Sequence, residues 1–256
     1  LIVFATTRKD FSMRDALQII RGAISTKDLV PVLTHVAIHN GRLCGFNGRV
    51  YISAPAPGVT GLSLTVPATP FFAAVDACEG NPKLGMEGDI LAVRSGTFSA
   101  TLPTGKIEDF PAEEPVEKQR KCKGALLPVL QSLLPFVGID ASRAWACGVL
   151  LDGSVARATN NITIAEATLP QSFPLQVTLP TYAVLELLRI GLEPLTVAVA
   201  ERAALFTLPG GAWLRTNLVV DPWPAGALQL VAELHQEAQL APIPPTLAGA
   251  VARVAP

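Results

Sequence analysis

Apolar residues return along this chain in two rhythms. Between Arg14 and Ile24, Leu17, Ile20 and Ile24 recur every three or four positions, the spacing of a helix with one apolar side. From Val32 to His39 and from Arg42 to Ile52 the apolar residues instead alternate, the spacing of strands with one buried face. The first of these strands ends at Asn40-Gly41, a dipeptide that readily takes the tight turn of a hairpin, and the second continues across Asn47-Gly48. Val149 to Ala158, with Asp152-Gly153 inside it, reads as another hairpin, and the opening residues Leu1 to Asp10 read as a first strand.

These elements come in two copies. Val66-Pro67-Ala68-Thr69 and its apolar continuation match Leu179-Pro180-Thr181-Tyr182, with Pro180 lying 113 residues after Pro67. The turn Glu108-Asp109-Phe110-Pro111 matches Asp221-Pro222-Trp223-Pro224 at the same 113-residue offset. So do Val36 and Val149, Asn47 and Asn160, and Leu17-Gln18 and Leu130-Gln131. Each copy reads as an amphipathic helix, strands with a turn, an extended segment, a second helix opened by a proline, and strands that close on an aromatic-proline turn. Proline suits a first helical turn because it has no amide hydrogen to lose. This order predicts an α+β protein of repeated domains, residues 1–115 and 116–226, with the charged run 113–123 as the link. Pro244 to Val254 resembles the opening helix of a third copy, so residues 227–256 read as the beginning of an incomplete third domain.

Composition narrows the function. Half of the 256 residues are hydrophobic, 16% are charged and 22 are proline, which fits an ordered chain rich in strands and turns. A net charge of −1 removes the simple case for tight nucleic-acid binding, so any such contact is local and loose. Cys44, Cys78, Cys122 and Cys147 are scattered without a Cys-x-x-Cys pair, against a zinc site or a disulfide scaffold and in favour of a reducing cytoplasm. The uncharged stretch Gly124 to Ile139 is too short to span a membrane.

Enzyme signatures are lacking. His35 and His39 sit in an alternating run rather than on a helix face, and His235 sits in a polar helical stretch. Pro209-Gly210-Gly211 and Gly45-Phe46-Asn47-Gly48 have neither the lysine of a phosphate loop nor dinucleotide spacing, and read as hairpin turns. Glu113 and Glu114 belong to the solvated link. No metal or cofactor is implied. The first helix is more informative: Arg14, Gln18 and Arg21 form a cationic stripe opposite Leu17, Ile20 and Ile24, and Lys27 extends it. Such a stripe supplies weak, sequence-independent attraction to phosphates through counterion release.

Taken in order, Leu29-Val30-Pro31-Val32-Leu33-Thr34-His35-Val36, Gly41-Arg42-Leu43, Val66-Pro67-Ala68, Glu108-Asp109-Phe110-Pro111, Ser142-Arg143, Gly148-Val149-Leu150-Leu151, Ala158-Thr159-Asn160-Asn161 and Leu218 to Pro224 resemble the bacterial DNA polymerase III β subunit, the β sliding clamp, phage-encoded versions included. The resemblance covers nearly the whole chain. It implies a head-to-tail ring, a homodimer or homotrimer, with helices lining a central channel and antiparallel sheets outside. The ring encircles double-stranded DNA without chemistry of its own and holds a DNA polymerase and a clamp loader through short apolar peptides. Carried over by position, the peptide pocket takes Ala146, Thr159, Asn161, Ile164, Leu230 and Val231, and the DNA side takes Lys27, with Arg14, Arg21 and Tyr182 as channel-facing candidates. The chain departs from the family at Ala146, where a larger apolar residue is usual, and at Asn160-Asn161-Ile162-Thr163. Two other readings stay open: a clamp-like interaction scaffold that is not loaded on DNA, and an enzyme of an unrecognised class.

Overall fold

The computed structural model describes residues 11–112, 119–173 and 176–237, with 244, 246, 247 and 253. The expected first strand, the acidic part of the link and nearly all of the expected third-copy helix lie outside them. The chain divides after Asp221 into two compact bodies.

The first body opens with α1 (Met13–Ile20), started by a capping box in which Ser12 and Asp15 satisfy each other's backbone amides. Strands β1 (His35–His39), β2 (Arg42–Phe46), β3 (Val50–Pro55) and β4 (Leu64–Pro67) follow, then α2 (Ala68–Asp76) and β5 (Lys83–Glu87), β6 (Ile90–Ser95) and β7 (Phe98–Pro103). After β8 (Arg120–Lys121) the series recurs: α3 (Leu127–Leu133), β9 (Gly148–Asp152), β10 (Val155–Thr159), β11 (Ile164–Thr168), β12 (Val177–Pro180), α4 (Thr181–Ile190), β13 (Thr196–Val199), β14 (Ala203–Thr207) and β15 (Trp213–Asn217). The two copies correspond even in a single turn. Asn47 accepts the amides of Arg49 and Val50 at 3.0 Å each, and Asn160 accepts those of Ile162 and Thr163 at 3.0 and 2.9 Å.

The copies are joined by hydrogen bonds. Strand β3 pairs antiparallel with β15, placing Ile52 opposite Leu214 and Tyr51 opposite Arg215, so one eight-stranded sheet runs β4-β1-β2-β3-β15-β14-β13-β8. Smaller sheets, β11-β10-β9-β12 and β5-β6-β7, flank it. One face of each strand packs under the helices: Val50, Ile52 and Ala54 share a core with Leu17, Ile20, Phe71, Leu130, Val184, Phe206 and Leu214. On the other face Tyr51 stacks on Trp213 at 5.2 Å and meets Phe110 edge-on at 5.8 Å. Gly45 allows α1 to end close to the sheet, because a Cβ there would meet the Ile20 carbonyl at 3.1 Å.

Three expectations need correction. Strand β1 begins at His35 rather than Val32, because Pro31–Thr34 close a 3-10 turn in which the Thr34 hydroxyl donates to the Pro31 carbonyl at 2.7 Å. Pro67 and Pro180 occupy the position just before their helices, with extended ψ angles of 124° and 150°, and so end a strand instead of forming the first helical turn. The link is partly structured, since Arg120 and Lys121 add β8 to the sheet edge beside β13.

The second body contains α5 (Ala225–Glu237), where Leu230 and Leu234 are half-exposed, Val231 is buried and His235 is exposed. Among the described residues no helix is long and apolar enough to cross a membrane.

Phe206 is fully buried at the centre of the shared core. Phe206→Ala is expected to lower unfolding free energy by about 3–5 kcal/mol, read as a fall in the urea midpoint. Substitution of the half-exposed Leu185 should shift it far less.

Candidate functional site

The amphipathic rhythm of the first helix is realised in space. Met13, Ala16, Leu17 and Ile20 face the sheet, while Arg14, Gln18 and Arg21 are exposed along the opposite side and Lys27 is exposed beyond them. The three cations differ in freedom. The Arg14 guanidinium donates to the carbonyls of Asp76 and Cys78 at the end of α2, so it braces two helices as well as facing solvent. Arg21 lies over the Phe72 ring, 5.8 Å from its centroid.

The second copy does not repeat the stripe. On α3 the exposed positions are Pro128, Gln131 and Ser132, and none is charged. Cationic character on the helix side is instead extended by Arg49. It sits on the Asn47 turn and lies over Tyr182 of the second copy, 5.6 Å from the ring centroid. Asn47 ties this turn to the end of α1 through the Gly22 carbonyl at 2.9 Å. Tyr182 is thus placed where the copies meet, and its hydroxyl donates to the Asn217 carbonyl at 3.4 Å.

One side chain fixes the two copies' helices together. Arg189 on α4 donates to the carbonyls of Gln18 and Ile19 at 2.7 Å each, capping the end of α1, and Glu186 holds its Nε at 2.8 Å. A positive charge at a helix C-terminus is favourable in its own right. Gly22 leaves room for this arrangement, since a Cβ there would run into the Glu186 carboxylate. No local pattern announces Arg189, because its partners lie 170 and 171 residues away. Arg49 has a local signal, the Asn-Gly turn before it.

Four of the six expected pocket residues come together. Thr159 pairs with Ile164 across β10 and β11, and its hydroxyl accepts the Asn161 amide at 3.1 Å and donates to the Thr163 carbonyl at 2.8 Å. Ala146 joins them through Gly138, whose amide donates to the Ala146 carbonyl at 2.9 Å and whose α-carbon nestles against Thr159. Ala146 and Thr159 are buried. Asn161, in the left-handed region at φ 71°, and Ile164 are exposed beside them. Ile162, in the run where the chain departs from the family, is 91% exposed on the same turn. Leu230 and Val231 belong to the second body.

Among the described residues, the cysteines and histidines offer little for covalent chemistry. Burial pushes the Cys78, Cys122 and Cys147 thiols above their ordinary range, away from the reactive thiolate. His35 is lowered by burial and bonds Thr65 at 3.2 Å, and His39 bonds Ser63 at 2.9 Å. Among the described residues no three His, Cys, Asp or Glu side chains converge as metal ligands.

No protein-family profile matches the sequence, and no curated protein sequence does. Solved structures do match. The DNA polymerase sliding clamp of Bacillus subtilis superposes with a TM-score of 0.72 at 17% identity, over 84% of this chain and 64% of that one. The DNA polymerase III β subunit of Pseudomonas aeruginosa gives 0.71 at 22% identity, over 84% and 66%. The Helicobacter pylori β clamp, solved with a DNA ligase peptide bound, gives 0.72 at 15% identity, over 84% and 66%. The chain therefore has the sliding-clamp fold and spans about two thirds of the length of these clamps.

Replacing Arg189 by Met removes the cap on α1 and the charge-assisted bonds that hold the copies' helices. A loss of about 1–3 kcal/mol is expected, with faster hydrogen exchange concentrated at the amides of residues 20–24.

Proposed function

We propose that this chain is a DNA sliding clamp, a ring-forming processivity factor that encircles duplex DNA and tethers a replicative polymerase. The observation that carries the reading is the repetition of one sheet-and-two-helices unit, fused through a continuous sheet in the manner of the clamp fold, with a cationic stripe on the helix side of the first copy. In this reading residues 1–115 and 116–226 are clamp domains and 227–256 begin a third. Copies of the chain close a ring, dimeric or trimeric according to the domains each chain carries. Arg14, Arg21, Lys27 and Tyr182 face the DNA.

The physical logic of such a ring is topological. A closed ring leaves DNA only by opening or by reaching an end, so it needs no tight grip, and a nearly neutral chain with a few cations suffices. The same few cations make its hold on phosphates weak, independent of sequence and sensitive to salt. The chain holds the DNA and performs no chemistry on it.

Partners dock by short peptides. In this reading Ala146, Thr159, Asn161 and Ile164 offer a small apolar floor with a hydrogen-bonding rim. With alanine at 146, where a larger apolar residue is usual in the family, the site has more room, which favours a bulky apolar anchor from the polymerase or clamp loader. Operation alongside replication places the chain in the cytoplasm. A second reading, a clamp-shaped scaffold that is not loaded on DNA, is favoured by one observation: the cationic stripe has no counterpart on α3.

The deciding experiment loads the protein on nicked circular DNA and compares its retention with that on linear DNA of equal length. A clamp stays on circles and runs off ends, and linearising the circle releases it. A scaffold shows no difference. Replacing Arg14, Arg21 and Lys27 together by Glu should flatten the salt dependence of binding by about one unit of log–log slope for each phosphate no longer neutralised. For the pocket, Ile164→Asp is expected to weaken binding of a polymerase-derived apolar peptide on the order of tenfold or more, measured by fluorescence anisotropy.

A further inference from the structure

Arg49 is held differently from most arginines of the chain. Arg94, Arg157 and Arg189 each meet a carboxylate, while Arg14 and Arg42 donate to backbone carbonyls. Arg49 is exposed and lies over the Tyr182 ring, and among the described residues no carboxylate pairs with it. The electron-rich face of a tyrosine attracts a cation but carries no opposite charge. It therefore fixes where the guanidinium sits without neutralising it, and leaves N–H groups for another acceptor.

Both members of this pair are firmly mounted. Asn47 accepts the amides of Arg49 and Val50 and donates to the Gly22 carbonyl just after α1, and Gly48 between them takes the left-handed backbone at φ 81°. From the second copy, Tyr182 is the second residue of α4 and donates to the Asn217 carbonyl at the end of β15. Thr181 before it donates to the Cys147 carbonyl at 2.8 Å. The carboxylate beside Gly22 is that of Glu186, one turn further along α4, and Arg189 already binds it at 2.8 Å.

The repeat separates what these elements need from what has been added to them. Across the 113-residue offset, Arg49 corresponds to Ile162 and Tyr182 to Thr69. Asn160 nevertheless accepts the amides of Ile162 and Thr163, as Asn47 accepts those of Arg49 and Val50. The turn therefore forms without an arginine, and the second position of α2 is filled without an aromatic ring. Neither residue is demanded by the element that carries it. Their meeting also falls where cationic character otherwise stops, because α3 exposes Pro128, Gln131 and Ser132 and no charge.

We propose that Arg49, held in place by Tyr182, donates to a phosphate of the duplex and carries the cationic stripe of the first copy across the junction to the second. The bond is charge-assisted, from guanidinium N–H groups to phosphate oxygens, and it is independent of base sequence. Arg49 is the contact residue. Tyr182 is a positioning residue that acts through it, supplying placement rather than charge. This deepens the clamp reading and rests on it.

The test follows binding of the full chain to a linear duplex by fluorescence anisotropy across a salt series. Arg49→Ile borrows the side chain that the second copy carries on the same turn. It is expected to weaken binding several-fold at low salt and to reduce the log–log salt slope by about one unit, with the urea midpoint unchanged. Arg49→Lys keeps the charge and should keep the slope. Tyr182→Phe should bind like the parent chain. Tyr182→Leu should weaken binding in the parent chain but add nothing in the Arg49→Ile background, the mark of two residues acting as one unit. Unchanged affinity and slope in Arg49→Ile, or the same loss of slope in Arg49→Lys, overturns the phosphate contact. A Tyr182→Leu effect that persists at full size without Arg49 overturns the positioning role. The variant with Arg14, Arg21 and Lys27 replaced by Glu is measured alongside. If it loses salt dependence while Arg49→Ile does not, the clamp reading stands and Arg49 has no part in it. If the parent chain itself shows neither salt-dependent binding nor preference for circular DNA, the clamp reading falls and the role of Arg49 falls with it.

Discussion

Pairing of β3 with β15 is the constraint on which the first body depends. Without it each copy would end in an open edge, and the strongest apolar strand of the first copy would lack its neighbour. With it, Val50, Ile52 and Ala54 become central-strand residues covered by helices, and Tyr51 gains Trp213 as a stacking partner on the other face. The pairing also brings α4 of the second copy alongside the end of α1, where Arg189 can reach the terminal carbonyls. Hydrogen bonding sets the register, and packing on both faces makes a slip costly, because a one-residue shift would exchange the core and outer faces.

What could be read in the sequence was what is local or repeated. The Asn-Gly turns, the alternation of the strands, the two faces of α1 and the 113-residue offset all concern residues near one another or copies of such residues. The structure reproduces the offset down to the side-chain hydrogen bonds of Asn47 and Asn160. What could not be read was pairing at long range. Nothing in β3 or β15 taken alone names the other as partner, and nothing near Arg189 announces two acceptors on a helix 170 and 171 residues earlier. The missed 3-10 turn at Pro31–Thr34 is a different kind of error: alternation suggested a strand, but proline fixed the local backbone first.

The candidate sites were legible to different degrees. For the cationic stripe, helical periodicity sufficed, since a helix face follows from spacing. Its limits did not follow: Arg14 shares its guanidinium with two carbonyls, and Arg49 joins from a neighbouring turn. For the pocket, positions transferred by resemblance gathered around Thr159 because they sit on adjacent strands and on the loop that packs beneath them. The exposed Ile162 and Ile139 carried no such signal, since an apolar residue in a loop reads the same whether it is covered or not.

The two copies have diverged in a way that follows from their neighbours. The first copy meets the second along β3, and there the outer face is aromatic, built from Tyr51, Phe110 and Trp213. In the second copy the corresponding outer face holds Arg157 bridging Asp152 and Glu166, a network that solvent can reach. Such an ion pair tolerates water and contributes little by itself, whereas the aromatic cluster gains stability only where water is excluded. The face beside the β3–β15 junction has become aromatic, and the face beside β11 has kept charged residues that tolerate water.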